Sequence, residues 1–172
     1  NDLPMVGVVE PTCRRAVLVT KNKRVGLIAT AASVRSGAYE AALRRLDPEV
    51  TVFSRACPLF VPLAEAGRIQ RGDVVIETVV AEYLAPLKAA GVDTLILGCT
   101  HYPLLEAVIG AYMGPEVTLI DSGAEAANLA STQFDPGSGP GETRSFVSDD
   151  PGAFDQLAEL VLQEQVGTGA GL

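Results

Sequence analysis

Cys99-Thr100-His101 places a thiol, a hydroxyl and the only histidine of a 172-residue chain side by side. A thiol acts as base or nucleophile where its surroundings favour the anion. An imidazole two residues away can hold that proton or donate one to a substrate. The residues before the cluster, Val92-Asp93-Thr94-Leu95-Ile96-Leu97-Gly98, read as a strand buried on both faces and closed by a glycine. Pro103 follows in a position that starts a helix. An isolated Cys-x-His is more often a buried thiol beside a surface imidazole. A strand, a turn and a helix start around it make a ligand site, because helix-start amides attract anions and favour a thiolate.

Other strand ends carry small polar groups: Thr30 and Ser33, Cys57, and Asp121-Ser122. In a parallel sheet these ends gather at one edge and face one cleft. Thr30 and Ser33 have the spacing of a helix cap and its partner, which is their expected role from local sequence. Cys57, before Pro58 and an apolar run, reads as a small buried residue. Glu65 is either a solvated helix carboxylate or a group reaching the cleft, and its neighbours do not decide.

The elements that must position these groups alternate. Strands are expected at Pro4–Glu10, Val25–Ala29, Val50–Ser54, Val92–Leu97 and Val117–Ile120. A short helix from Pro11 ends at the basic turn Lys21–Arg24. Tyr39, Ala42, Leu43 and Leu46 form one apolar helix face, and Ile76, Val79, Val80, Tyr83, Leu84 and Leu87 another, with Gly91 at its end. A helix runs from Pro103 to about Met113, and an Ala-rich one follows Asp121-Ser122-Gly123. Residues 135–142 have loop composition, Thr143–Ser148 suits a strand, Asp150-Pro151 starts a last helix, and residues 167–172 form a tail. This order means α/β, with a mostly parallel sheet flanked by helices.

The bulk numbers exclude several classes. A net charge of −8 argues against a nucleic-acid surface. No apolar run approaches the ~20 residues of a membrane span, and the first residues lack a signal-peptide pattern. Three cysteines at wide spacings form neither a disulfide framework nor a zinc pattern, which points to a reducing cytoplasm and no metal.

Longer strings take the reading further. Leu97-Gly98-Cys99-Thr100-His101-Tyr102-Pro103-Leu104-Leu105 resembles the signature around the second active-site cysteine of glutamate racemases. Val6-Gly7-Val8-Val9-Glu10-Pro11, Cys57-Pro58-Leu59-Phe60-Val61-Pro62-Leu63 with Glu65, and Ile120-Asp121-Ser122-Gly123-Ala124-Glu125 match that family in order. The stretch from Val25 to Tyr39 is similar to its Thr-x-x-Thr substrate loop, with Ser33 in place of the second threonine.

The resemblance implies a cofactor-independent, two-cysteine interconversion of L- and D-glutamate that supplies peptidoglycan synthesis. It makes Cys99 the thiol on the L-glutamate side and His101 its acid–base assistant. Thr30, Ser33, Thr100, His101 and Glu65 become substrate-site residues. Small-molecule glutamate is the implied partner, with a homodimer as the complete form. Neither Cys13 nor Cys57 matches the context of the family's first cysteine, which lies upstream of the strand expected at Pro4. The chain is therefore expected to be the C-terminal portion of a racemase, inactive alone. Its expected layout is a racemase α/β domain over residues 1–116, elements over 117–166 that pack on a second, pseudo-symmetric domain, and a tail over 167–172. Exposed apolar surface is expected around residues 117–165. The alternatives are a non-catalytic glutamate-binding fragment and a related aspartate racemase.

Overall fold

The computed structural model describes residues 5–134, 146–147, 150–162 and 170–171. They divide into two compact units, Asn1–Asp135 and Pro136–Leu172.

In the first unit the described strands form one parallel sheet in the order β2-β1-β3-β4. They are β1 (Arg24–Ala29), β2 (Thr51–Ala56), β3 (Thr94–Leu97) and β4 (Thr118–Asp121). Burial follows position. The two central strands carry almost only aliphatic side chains and are buried nearly throughout, whereas β2 and β4 are largely half-buried. That is the pattern of a sheet covered on both faces. Side chains alternate across it: Ile28, Leu95 and Leu97 enter one core, while Leu27, Ala29 and Ile96 enter the other.

Helices supply the other half of each core. On the Leu95 side lie α4 (Phe60–Glu65), α5 (Val74–Ala89) and α6 (Glu106–Met113), with Phe60, Ile76, Val80, Leu84 and Ile109 fully buried. On the Ile96 side lie α1 (Val9–Val19) and α3 (Ala38–Leu46), through Cys13, Ala16, Tyr39 and Leu43. Between β1 and α3 sits the short α2 (Ala31–Ser36), closed by Gly37 at φ +65°, a left-handed turn that suits glycine. Helix α7 (Ser122–Gln133) follows β4 directly and lies beside α1, where Arg15 and Glu125 approach to 3.8 Å.

The second unit contains β5 (Phe146–Val147) paired in parallel with β6 (Ala170–Gly171), and α8 (Pro151–Leu162). Among the described residues of both units, no helix is long and apolar enough to cross a membrane.

Four expectations are corrected. Residues 5–8 form no strand: Met5 is 89% exposed, and α1 begins at Val9, two residues before Pro11. A four-residue apolar run fits a helix start as well as a strand, and proline in a first helical turn removes no needed N–H. The helix expected from Pro103 opens as a 3₁₀ turn, Tyr102–Leu105, before α6. Residues 170–171, expected in a tail, pair with β5. No boundary falls at 116/117, because β4 hydrogen-bonds to β3 in the same sheet and the units divide after Asp135. The loop expected over 135–142, residues 143–145 and 148 of the expected strand, and 163–169 and 172 of the tail lie outside the described residues. Phe134, Phe146, Val161 and Leu162 are exposed, but so are Leu18, Leu59 and Val74 outside the stretch expected to carry apolar surface.

Candidate active site

Strand order locates the cleft. The chain passes from β1 outward to β2, then crosses back to β3 on the opposite side of β1. The crossovers therefore diverge between β1 and β3, and open parallel sheets bind ligands outside the carboxyl ends of the strands at such a switch point. Thr30 follows β1 there, and Gly98-Cys99-Thr100-His101 follows β3. The last paired positions, Ile28 with Leu97, put these two segments side by side.

Gly98 sets how closely they run. Its amide donates to the Ile28 carbonyl at 2.8 Å. A Cβ on Gly98 would lie 3.0 Å from that carbonyl oxygen, 3.0 Å from Leu27 Cδ1 and 3.2 Å from Ala29 Cβ. Only glycine fits there without movement of β1, and its smallness brings Cys99 against the end of β1.

Of the three cysteines, Cys99 alone is not fully buried. Burial pushes the Cys13 and Cys57 thiols up to about 12, so both stay protonated and unreactive near neutral pH. Cys57 has the structural role expected of it: its amide donates to Ala29 at 3.0 Å, and its carbonyl accepts from the buried Tyr102 hydroxyl at 2.9 Å. The Tyr102 and Phe60 rings meet edge to face at 5.3 Å, which anchors the turn carrying His101 to the core.

His101 has a partner on each ring nitrogen. Glu65, at the end of α4, lies 3.2 Å from Nε2, and the Thr100 hydroxyl 3.3 Å from Nδ1. A carboxylate only accepts, so the Nε2 N–H donates to Glu65, while the direction of the Thr100 contact at Nδ1 follows the protonation of the ring. Glu65 is thus both things its neighbours in sequence left open: a solvent-exposed carboxylate on α4 and a group that reaches His101.

Thr30 caps α2: its Oγ1 accepts from the Ser33 amide at 3.3 Å and lies 3.1 Å from the Ser33 hydroxyl. The two hydroxyls share one hydrogen bond, which leaves one of their protons free for an incoming acceptor. Asp121, by contrast, turns back to its own helix and accepts from the Gly123 and Ala124 amides at 2.7 and 3.2 Å. No group of three or more His, Cys, Asp or Glu side chains converges as a metal site among the described residues.

Two residues of this neighbourhood were not legible as site residues. Tyr39 reads as part of an apolar helix face, and Ser122 as one more polar strand end. Their hydroxyls meet at 3.3 Å, and Ser122 donates to the Leu97 carbonyl at 2.9 Å.

Comparison with known proteins gives the family. The family model described as Asp/Glu/Hydantoin racemase matches residues 1–130. A glutamate racemase of Geobacter metallireducens is 46% identical over 171 residues, covering 96% of this chain and 63% of the relative. One from Lactiplantibacillus plantarum is 50% identical over 133 residues, covering 77% of this chain and 48% of the relative. The chain thus spans less than two thirds of the length of these curated relatives. Among solved structures, a glutamate racemase isoform from Bacillus anthracis superposes with a TM-score of 0.91 at 34% identity, over 100% of this chain and 65% of that one. A Francisella tularensis glutamate racemase solved in complex with D-glutamate gives 0.87 at 29% identity, again over 100% and 65%. A thiol, a carboxylate-paired histidine and a capped hydroxyl loop at one switch point, with these matches, mean that the chain belongs to the Asp/Glu/Hydantoin racemase family.

Proposed function

We propose that the protein interconverts L- and D-glutamate without a cofactor, with Cys99 as the proton-transfer thiol on one face of the α-carbon. The observation that carries this reading is the single accessible thiol at the β1/β3 switch point, two residues from an imidazole backed by Glu65. The Cys99 thiolate takes the α-proton and becomes a thiol, leaving its electron pair on the substrate. A proton delivered to the opposite face completes inversion. The hydroxyl proton left free on the Thr30–Ser33 pair goes to a substrate carboxylate, with Thr100 beside it, and a preorganised donor of this kind lowers the energy of the carbanion-like state. His101, held by Glu65, assists the proton movements.

The names of the most similar relatives favour glutamate over aspartate. The same reading puts the protein in the cytoplasm, as a homodimer that feeds D-glutamate to peptidoglycan synthesis.

Burial of Cys13 and Cys57 favours a second, narrower reading for this chain by itself. With one accessible thiol it binds glutamate and exchanges the α-proton of one enantiomer with solvent, without inversion. Proton NMR in D₂O, run beside circular dichroism of the amino acid, separates the two readings. Loss of the α-proton signal with inversion supports racemisation, and loss with retention supports the one-face reaction. Cys99→Ala abolishes both. Exchange that survives Cys99→Ala refutes the assignment of the thiol.

A further inference from the structure

The Leu97–Gly98 peptide unit, one residue before Cys99, is gripped from both sides. Its N–H, that of Gly98, donates to Ile28 on β1 at 2.8 Å. Its C=O, that of Leu97, accepts from the Ser122 hydroxyl at the start of α7 at 2.9 Å. Ser122 is 7% exposed, and its hydroxyl touches the Tyr39 hydroxyl at 3.3 Å. The direction of this chain follows from the acceptor. A carbonyl cannot donate, so the one Ser122 proton goes to Leu97, and Tyr39 donates to Ser122. Burial pushes the Tyr39 phenol up, against a smaller downward pull from Ser122, which keeps it a donor at neutral pH. Tyr39 is itself 4% exposed, so the whole relay is dry, where hydrogen bonds polarise one another and hold geometry firmly.

The clamp answers a need created by Gly98. Close approach to β1 demands a glycine, and glycine has the least resistance to backbone rotation. Rotation about Leu97 ψ and Gly98 φ swings everything after it, beginning with Cys99. We propose that Ser122 and Tyr39 are positioning residues for Cys99, fixing the Leu97–Gly98 peptide plane through the relay Tyr39 to Ser122 to Leu97. Neither touches the reacting atoms. Asp121 leaves Ser122 free for this task by capping α7 itself.

The proposal rests on the reading of Cys99 as the proton-transfer thiol, and its test has one arm that does not. In the full chain, amide hydrogen exchange is followed at Gly98 and, as internal reference, at Leu95 and Ile96 in the ladder below. In Ser122→Ala, exchange at Gly98 accelerates about tenfold while the two references stay within about twofold, and Ser122→Thr restores most of the protection. Tyr39→Phe removes only the outer donor and gives a smaller change of the same sign. It also carries the test if the Ser122 variant does not fold. The second arm uses Cα-deuterated glutamate. Ser122→Ala lowers kcat with little change in KM and enlarges the primary isotope effect for the enantiomer that Cys99 deprotonates, and Ser122→Thr reverses both. Unchanged exchange at Gly98, or acceleration spread evenly over β3, overturns the clamp. Local acceleration with no isotope asymmetry in an active enzyme overturns the positioning role, and absence of α-proton chemistry in the parent itself overturns the reading beneath it.

Discussion

Gly98→Ala tests how the site is built, and its size follows from the packing. The new methyl meets the Ile28 carbonyl oxygen and Leu27 Cδ1 at 3.0 Å and Ala29 Cβ at 3.2 Å. Two of these three neighbours have no rotatable far end, and the carbonyl is already engaged by the Gly98 amide at 2.8 Å. Relief therefore requires β3 to move from β1. Overpacking of this kind costs about 2–3 kcal/mol, offset by about 0.5–1 kcal/mol from the stiffer unfolded chain. The net destabilisation is about 1–2.5 kcal/mol, a fall in Tm of roughly 2–10 °C for a chain of this size. Gly26→Ala is the control on the same two strands. There the nearest atom is the end of the Leu95 side chain at 2.9 Å, which can rotate, and the backbone oxygen of Thr94 is 3.6 Å away. Its expected cost is below about 1 kcal/mol. Urea melts of both variants, with α-proton exchange of glutamate beside them, check the comparison. Gly98→Ala should also lose most exchange activity, because the displaced strand end carries Cys99. A Gly98→Ala chain as stable and active as its parent, or a Gly26→Ala chain that suffers more, refutes the steric reasoning.

Thiol labelling gives an independent check of the site. Iodoacetamide under native conditions near neutral pH should modify Cys99 well before Cys13 and Cys57, which are fully buried with thiols held at about 12; comparable labelling of Cys57 by mass spectrometry sinks the assignment. At the opposite sheet edge, Asp93 is held below the usual carboxylate range. Burial pushes it up, but hydrogen bonds from the Thr20 hydroxyl, the Asn22 and Lys21 amides and the Thr94 hydroxyl outweigh that. A depressed folded value means that ionised Asp93 stabilises the fold above the ordinary carboxylate range and loses this contribution as pH falls through its folded value. Asp93→Asn should therefore destabilise at about pH 7, with the gap from the parent closing below about pH 4; a gap independent of pH in thermal melts argues against this role.

Fold class was legible because burial on both faces leaves a plain mark. The central strands β1 and β3 are aliphatic runs, and the Tyr39–Leu46 and Ile76–Leu87 faces repeat with helical spacing. The N-terminal apolar run Val6–Val9 carried no such discrimination. Its four residues suit a strand or a helix start, and the choice fell to α1, whose Cys13 and Ala16 are buried in the core beside α3. Cys99 and His101 stood out as candidates because reactive types are conspicuous at a strand end, whereas Thr30 read as the helix cap that it makes.

Local sequence determined which groups are present, the alternation of elements and the cap that Thr30 makes on its own helix. The tertiary structure alone decided that Glu65 reaches His101 across 36 residues of chain, and that Ser122, backed by Tyr39, closes on the Leu97–Gly98 peptide. The physical reason is range. Caps and periodicity act within a few residues and are written locally. Pairings across the sheet depend on strand order and register, which emerge only when both cores are buried together.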